Sequence, residues 1–330
     1  MTIYEVARRA GVSIATVSRA LRGTGPVAAR TREKVLKAVE ELNFTPSRLG
    51  VSLAEGRHAA NGIVFPDLAG PYYTQVLLGY EEVASELGRS VVILSTKGRT
   101  RVHELVRDLA GRVDGLLVFG HTVSDAQVAE LVGVGMPLVF VSREPLPGAD
   151  TLRSENTASA RALAGHLLGH GYERFTFLGA PLATGDDVDE RWQGVRSVLG
   201  GAIEAVPTGE YTVECGYDAA LRLLRSAARP RAVVCSDDEV ALGVLLAAEE
   251  LGLAVPDDLA VTGWDDIMAA RHARPALTTI RQPMRELGAR AARALDELIT
   301  GARDTPAHLV LTTELVVRAS CGHHHQEECT

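Results

Sequence analysis

From Gly62 onward, short apolar runs alternate with stretches of helical length and periodicity. The runs occupy 62–66, 91–95, 115–119, 138–142, 174–178, 232–235 and 259–263; helical patterns cover 73–87, 158–168, 239–251 and 284–298. Strands this short, apolar and separated by helices assemble as parallel sheets, because each crossover helix covers a sheet face. Right-handed crossovers then build doubly wound sheets. About seven strands with a break near 156 predict an α/β body of two doubly wound parallel-sheet subdomains. Ligands of such sheets sit at the C-terminal strand ends, here in a cleft between the two.

Composition narrows the class. At 330 residues, 46% apolar and 23% charged, the chain has the length for about two or three domains and the apolar content of a real core. No run approaches the ~18 apolar residues of a membrane span. Met1-Thr2-Ile3-Tyr4-Glu5 lacks the charged-then-apolar plan of a secretory leader, so neither a membrane nor a secreted protein is expected. Cys215, Cys235, Cys321 and Cys329 are few and scattered, which argues against a disulfide framework and for a reducing cytoplasm. Charge is unevenly placed. Residues 1–57 hold ten Lys/Arg against five acids, a net +5, so the chain's −8 leaves −13 on the remainder. Only the head is drawn to phosphate.

The head reads as three short helices. Thr2-Ile3-Tyr4-Glu5 fits a capping box, with Val6, Ala7 and Ala10 as the apolar face of the first helix. Gly11 suits the turn, Ser13 the cap of a second helix, and Val17, Ala20 and Leu21 its inward face. A third helix over about 30–42 would bury Val35, Leu36 and Val39. Apolar spacing alone also fits a generic bundle. The outward face of the second helix is the informative one. Ser13, Thr16, Ser18, Arg19 and Arg22 suit phosphate oxygens and guanine edges, while Ile14 and Ala15 suit thymine methyls.

Thr2-Ile3-Tyr4-Glu5-Val6-Ala7, Ala10-Gly11-Val12-Ser13, Thr16-Val17-Ser18-Arg19 and Thr31-Arg32-Glu33-Lys34-Val35 together resemble the DNA-binding head of lactose-repressor (LacI/GalR) family regulators. The resemblance implies that Ile14, Ala15, Arg19 and Arg22 face the major groove. Thr2, Tyr4, Ser13, Thr16, Ser18 and Thr31 then hold phosphates and register. Arg22 stands where the family usually has Asn. Ala28 stands where it has a Ser cap, a weakening of about 1 kcal/mol.

Pro46 ends the head. The segment 47–57 is compatible with a short helix, marginal in water and weakened by Gly50, so it reads either as a flexible linker or as a helix that folds on DNA. In the family it resembles the hinge helix, with Leu53 in the place of the minor-groove wedge. Ser47, Gly50 and Val51 depart from the usual Asn, Ala and Arg.

The resemblance continues through Pro66-Asp67-Leu68, Glu155-Asn156, Arg191, Asp237, Gly263-Trp264-Asp265-Asp266, Leu277-Thr278-Thr279-Ile280-Arg281-Gln282-Pro283 and Leu315-Val316-Val317-Arg318. It implies a core similar to periplasmic sugar-binding proteins, with three chain crossings between subdomains. The implied division is 1–46 as a helix-turn-helix domain, 47–60 as hinge and linker, 61–156 with 284–313 as the core N-subdomain, 157–283 with 314–320 as the core C-subdomain, and 321–330 as a tail. It also implies an effector site of Tyr72, Tyr73, Arg191, Tyr211, Ser236, Trp264 and Asp265. Ser236 replaces a customary Asn, and Ser142 an Asp found in many members, whereas Arg143 is retained. For Tyr72, Tyr73 and Trp264 core packing is the competing reading, and for Arg191 and Asp265 an ion pair across the cleft. Stacking faces beside a fork of donors suit a mono- or disaccharide; a purine fits the same set.

Gly133-Val134-Gly135-Met136-Pro137 imitates a dinucleotide loop but follows a helix, and no catalytic motif is recognisable, so no enzyme and no cofactor are expected. The His/Cys-containing end, 321–329, fits no closed zinc module and reads as a polar tail without metal. A sugar-modifying enzyme lacks a catalytic set, and a sugar-binding transport protein has no use for the basic head. The expected function is a repressor-type transcription factor, with a purine-responsive regulator as the alternative effector class. Its expected partners are a pseudo-palindromic operator duplex, a small effector and a second copy of itself, since two heads on a palindrome need a two-fold axis. No leucine heptads follow Ser320, so no tetramer is expected by that route.

Overall fold

The computed structural model describes residues 1–23, 25–44, 57–180 and 186–322, in two compact units that meet in sequence at Ala59 and Ala60. In the first unit, α1 (Ile3–Ala10), α2 (Ile14–Arg22) and α3 (Ala29–Glu41) enclose Val6, Ala7, Val17, Ala20, Val35, Ala38 and Phe44. The Glu5 carboxylate accepts the Thr2 backbone N–H at 2.7 Å. Gly11 takes φ 66°, and its N–H reaches the Ala7 and Arg8 carbonyls, which turns the chain into α2. Leu36, expected inside, is half exposed; Ala38 takes its place beside Val35, because three residues return to one helix face and one residue does not. Ala28 offers α3 no side-chain cap.

The second unit opens with β1 (Ala60–Phe65), α4 (Pro71–Glu86), β2 (Ser90–Ser95), α5 (Val102–Ala110), β3 (Gly115–Phe119), α6 (Asp125–Gly133), β4 (Leu138–Val141) and β5 (Asp150–Ser154). It continues through α7 (Thr157–Gly169), β6 (Phe175–Leu178), α8 (Asp187–Leu199), β7 (Ile203–Val206), α9 (Val213–Leu224), β8 (Ala232–Cys235), α10 (Asp238–Glu250) and β9 (Ala260–Thr262). Last come α11 (Met268–His272), β10 (Thr279–Arg281), α12 (Met284–Thr300), β11 (His308–Leu311) and β12 (Glu314–Val316). A parallel six-stranded sheet has the order β11-β5-β4-β3-β1-β2, and a parallel four-stranded sheet the order β7-β6-β8-β9. β10 and β12 pair antiparallel. Among the described residues no helix is long and apolar enough to cross a membrane.

Strands β5, β7, β10, β11 and β12 carry no apolar run of four residues and lie outside the seven read from hydropathy. β5 is Asp-Thr-Leu-Arg-Ser, yet Asp150 is buried because its carboxylate accepts Arg303 Nη1 at 3.0 Å and the Ala307 N–H at 2.9 Å. That pairing also seats β11 beside β5. The chain passes between the two sheets three times: from β5 to α7 at Asn156, from β10 to α12 at Gln282, and from β11 to β12 at Thr313. The Thr313 hydroxyl donates to the Glu155 carbonyl at 2.9 Å and stands 2.7 Å from the Ser159 hydroxyl, which binds two of these passages together. The first strand begins at Ala60, one residue before the expected boundary. Cys321, expected to open a polar tail, is instead fully buried in a short 3-10 turn, Ala319–Cys321, against the core of the four-stranded sheet.

Helix α12 returns to the six-stranded sheet and lies on α4 with backbone touching backbone. A Cβ on Gly79 would stand 2.0 Å from the Arg285 carbonyl oxygen, and one on Gly288 1.9 Å from that of Val76. Glycine here shortens the interaxial distance rather than bending the chain. Gly216 and Gly243 do the same where α9 meets α10. Gly288→Ala is therefore expected to lower stability by about 1–3 kcal/mol through overpacking against backbone that has no rotamer to yield, measured as a lower urea midpoint at unchanged m-value. An unaltered midpoint would mean the two helices separate freely.

Candidate functional site

Both sheets point their C-terminal strand ends at one cavity of about 530 Å³. Pro66, Gly70, Tyr72 and Tyr73 enter it after β1, Gly120 and His121 after β3, Ser142 after β4, Asp237 after β8 and Asp265 after β9. Tyr73 meets Phe65, Tyr72 and Phe119 edge to face at 5.6, 5.3 and 5.6 Å, so it is a core ring with one side on the cavity. The Tyr72 hydroxyl lies 3.4 Å from that of Ser142. Burial pushes both phenols above their ordinary range, which keeps them neutral donors.

Arg191 rises from the first turns of α8 into this space and is 6% exposed. Its Nε donates to Asn156 Oδ1 at 3.0 Å, its Nη1 to the Ser236 carbonyl at 2.8 Å, and its guanidinium lies over the Trp264 ring at 4.7 Å. The fork is thus clamped by the protein's own groups. Asp265, at φ 113°, accepts Gln282 Nε2 at 2.5 Å, while its own N–H is held by the Ile280 carbonyl at 2.8 Å. A non-glycine residue stays in that conformation only where its surroundings over-determine it, a condition typical of functional sites. Ser142, at φ 59°, is a second such residue on the same cavity.

Acids outnumber bases on the wall. Asp186, Asp187, Asp237, Glu239 and Asp265 face Arg191 as the one guanidinium among the lining residues. Burial pushes the Asp265 carboxyl up to about 7 against the opposing pull of Arg191, and Glu239 rises to about 6, first through burial and then through the Asp237 charge. Burial also raises Asp237, whose carboxylate caps α10 by accepting the Val240 N–H at 2.8 Å. The wall is rich in hydrogen-bond acceptors and has a tyrosine face to stack on.

On the first unit, α2 presents Ile14, Ala15 and Arg19 outward, with Thr16 and Ser18 half-buried at the flank. The Ser13 side chain caps α2 by accepting the Thr16 N–H at 3.2 Å, and its hydroxyl stands 2.9 Å from that of Thr16. Arg19 Nε reaches back to the Ala15 carbonyl at 3.2 Å, which aims the guanidinium along the helix surface. Thr2 and Tyr4 are exposed on α1 and its cap, and Thr31 is half-buried in the first turn of α3. Arg22 closes α2, but its side chain lies outside the described residues, as does Leu53.

Residues 2–47 match the family described as bacterial regulatory proteins, lacI family, and residues 164–321 match the periplasmic binding protein-like domain. The chain is 33% identical over 335 residues to the HTH-type transcriptional regulator DegA of Bacillus subtilis (strain 168), covering 97% of each. Similar solved structures include the lac repressor dimer bound to operator and the anti-inducer ONPF, at a TM-score of 0.84 and 28% identity over 97% of this chain and 99% of that one. The transcriptional regulator CelR–cellobiose complex is similar at a TM-score of 0.71 and 31% identity, over 97% and 99%. The chain belongs to the LacI family.

Within this LacI-family body, Tyr72, Tyr73, Arg191, Tyr211 and Asp265 line the cavity. Ser236 and Trp264 do not: both are buried behind Arg191, one supplying a carbonyl and the other a ring. Both touch the Arg191 side chain instead. Arg191 and Asp265 are buried and hydrogen-bonded within the chain, through Asn156, Ser236 and Gln282. Nor do they pair with each other; each bonds a different chain passage. Arg143 turns away from the cavity to donate to the Val123 carbonyl at 2.8 Å. Asp187, Glu239 and Gln282 line the cavity without having been singled out. The available signal was position: Glu239 and Gln282 follow the ends of β8 and β10 closely, and Asp187 opens α8.

The Asp265 carboxyl gives a pH signature. Its folded value, about 7, exceeds the ordinary 3.8, so the folded protein holds this proton more tightly than the unfolded chain. The resulting stabilisation is full below about pH 4 and is lost as pH rises through about 7. Asp265→Asn is expected to remove this loss, on the order of a few kcal/mol, when urea stability is compared from pH 4 to 8. Parallel pH profiles for the two proteins would contradict the assignment.

Proposed function

We propose that this LacI-family regulator represses transcription as a cytoplasmic homodimer bound to a pseudo-palindromic operator, and that a mono- or disaccharide in the cleft sets its affinity for DNA. The head, 1–46, reads the operator through Ile14, Ala15, Arg19 and Arg22. Thr2, Tyr4, Ser13, Thr16, Ser18 and Thr31 hold phosphates. Leu53, in the 47–60 hinge, is assigned the minor-groove wedge on its residue type and place in the chain. The lobe around the six-stranded sheet and the lobe around the four-stranded sheet act as the two moving parts. No catalytic role is assigned to any residue.

The observation that carries this reading is the double attachment of the cleft to the chain passages. Arg191 is bonded to Asn156 at the first passage, and Asp265 to Gln282 at the second. A ligand that engages the free side of the Arg191 fork and the Asp265 carboxylate pulls on the segments about which the lobes turn. An effector shifts an equilibrium only through differential affinity for its two states, and coupling of about 1–3 kcal/mol corresponds to a 5–150-fold change in DNA affinity. Many acceptors, one fork and a tyrosine wall favour a neutral polyol. The flat ring faces supply a weaker case for a purine.

The test starts with calorimetry of the full chain against mono- and disaccharides and purine bases, followed by operator binding with and without the best ligand. Arg191→Ala and Asp265→Ala are expected to keep operator binding and lose the ligand response. Asn156→Ala is expected to keep much of the ligand affinity while shrinking the response, since it unhooks the fork from the passage. Undiminished ligand affinity in both cleft variants would move the site elsewhere.

For DNA, Arg19→Ala is expected to lose about 1–3 kcal/mol per half-site and to relax preference at one guanine. Thr16→Ala should weaken all sequences evenly. Binding to a panel of operator variants at fixed salt separates the two, and an Arg19 variant with wild-type preference would remove the base contact.

A further inference from the structure

Helix α7 starts at the cleft with Asn156 and ends, about 15 Å further along, in a cluster that the regulatory reading leaves unused. His166 and His170 are one turn apart on one face, and their rings meet edge to face at 4.8 Å. Opposite them the buried turn at the end of the body brings in Cys321, whose Sγ lies 3.3 Å from His166 Nε2. One ligating atom from each of the three falls within 4.8 Å of the others. We propose that His166, His170 and Cys321 form a site for a zinc-class divalent metal ion that fastens the end of the body to α7.

Two imidazoles and a thiolate are the donors a borderline-soft ion selects, and three protein ligands leave a fourth position for water or another donor. Bond lengths of about 2.0–2.3 Å place ligand atoms on one tetrahedral ion about 3.3–3.6 Å apart. The His166–Cys321 pair already meets that spacing. His170, partly exposed, needs to close by up to about 1.5 Å to meet it. The thiol is held from behind, as metal ligands usually are. Its Sγ lies 3.0 Å from the Thr278 hydroxyl, the Cys321 carbonyl accepts the Tyr172 hydroxyl at 3.2 Å, and Ser320 Oγ accepts the Thr278 N–H at 2.8 Å. Gly322 leaves no space beyond: a Cβ there would stand 2.6 Å from the His170 ring. Metal would lock the last segment of the body, and through Thr278 the approach to β10, onto the helix that carries Asn156.

The sequence after Gly322 contains further imidazole and thiol donors, His323, His324, His325 and Cys329, so the test must separate the two sources. The full chain, stripped of metal and kept reduced by a phosphine, is titrated with cobalt(II) as a spectroscopic probe. The expected result is a thiolate-to-cobalt charge-transfer band that saturates at a single equivalent and is displaced by zinc(II). A chain carrying His323→Ala, His324→Ala, His325→Ala and Cys329→Ser is expected to keep the band. Adding Cys321→Ser or His166→Ala to that background abolishes it. His166 is only half-buried, so its variant reports on the site even where a change at the buried cysteine disturbs folding. Absence of the band in the natural chain would overturn the proposal. So would a band that survives His166→Ala, or one that disappears with the four tail substitutions alone.

Discussion

The second unit is organised around one buried guanidinium. Arg191 holds Asn156 where the chain first passes between the sheets, the Ser236 carbonyl at the end of β8, and the Trp264 ring at the end of β9. A buried charge of this kind is tolerated only where its hydrogen bonds are met, and removal of one partner costs several kcal/mol. Here the partners belong to three separate segments, so the fork registers them against one another. It also faces the cavity, so the same residue ties these segments together and lines the space between the lobes. Rigid donors aimed in advance lower the ordering cost of ligand binding.

Carboxylates that line the same cavity are shifted upward by burial. Asp265 and Asp237 are raised by burial, and Glu239 by burial and by Asp237. Just outside the cavity, Asp266 is held low despite its burial by Arg281, Arg318 and Arg271. Adjacent residues on one short segment therefore carry opposite electrostatic roles. Asp266 is a saturated structural pin that joins β10 and the final segment to β9. Asp265 is a carboxylate with one side-chain hydrogen-bond donor, Gln282, and it lines the cavity. The difference lies in how many guanidiniums reach each side chain, not in the residue type.

Most of the architecture was legible in hydropathy, because a parallel strand buried on both faces is apolar at every position and a run of four or five such residues is unmistakable. β3 and β8 matched their runs to the residue. The strands that escaped are short and mostly half-buried or exposed, as β7, β11 and β12 are, or depend on partners distant in sequence. β5 is inside only because Arg303, far along the chain, answers Asp150, and β10 and β12 are short enough that their pairing is what makes them strands. Of the cleft, the aromatic pair, the arginine and the aspartate were readable through family resemblance. The supporting carbonyl of Ser236 and the packed ring of Trp264 were read as ligand contacts, since sequence does not distinguish a residue that touches a ligand from one that aims the residue touching it.

The sequence by itself determined the basic three-helix head, the alternation of strand and helix, and the family to which both belong, because these rest on local periodicity, capping and charge. Only the tertiary structure decided that Asn156 and Gln282 hold the cleft residues, that Gly79 and Gly288 let two helices touch backbone to backbone, and that Cys321 lies buried beside His166 and His170. Each of these joins residues between about 35 and more than 200 positions apart, except for the shorter link from Asp265 to Gln282. Contacts at such separations are set by how the crossovers return the chain to a sheet, and no local pattern of residues encodes which side chains will then face one another.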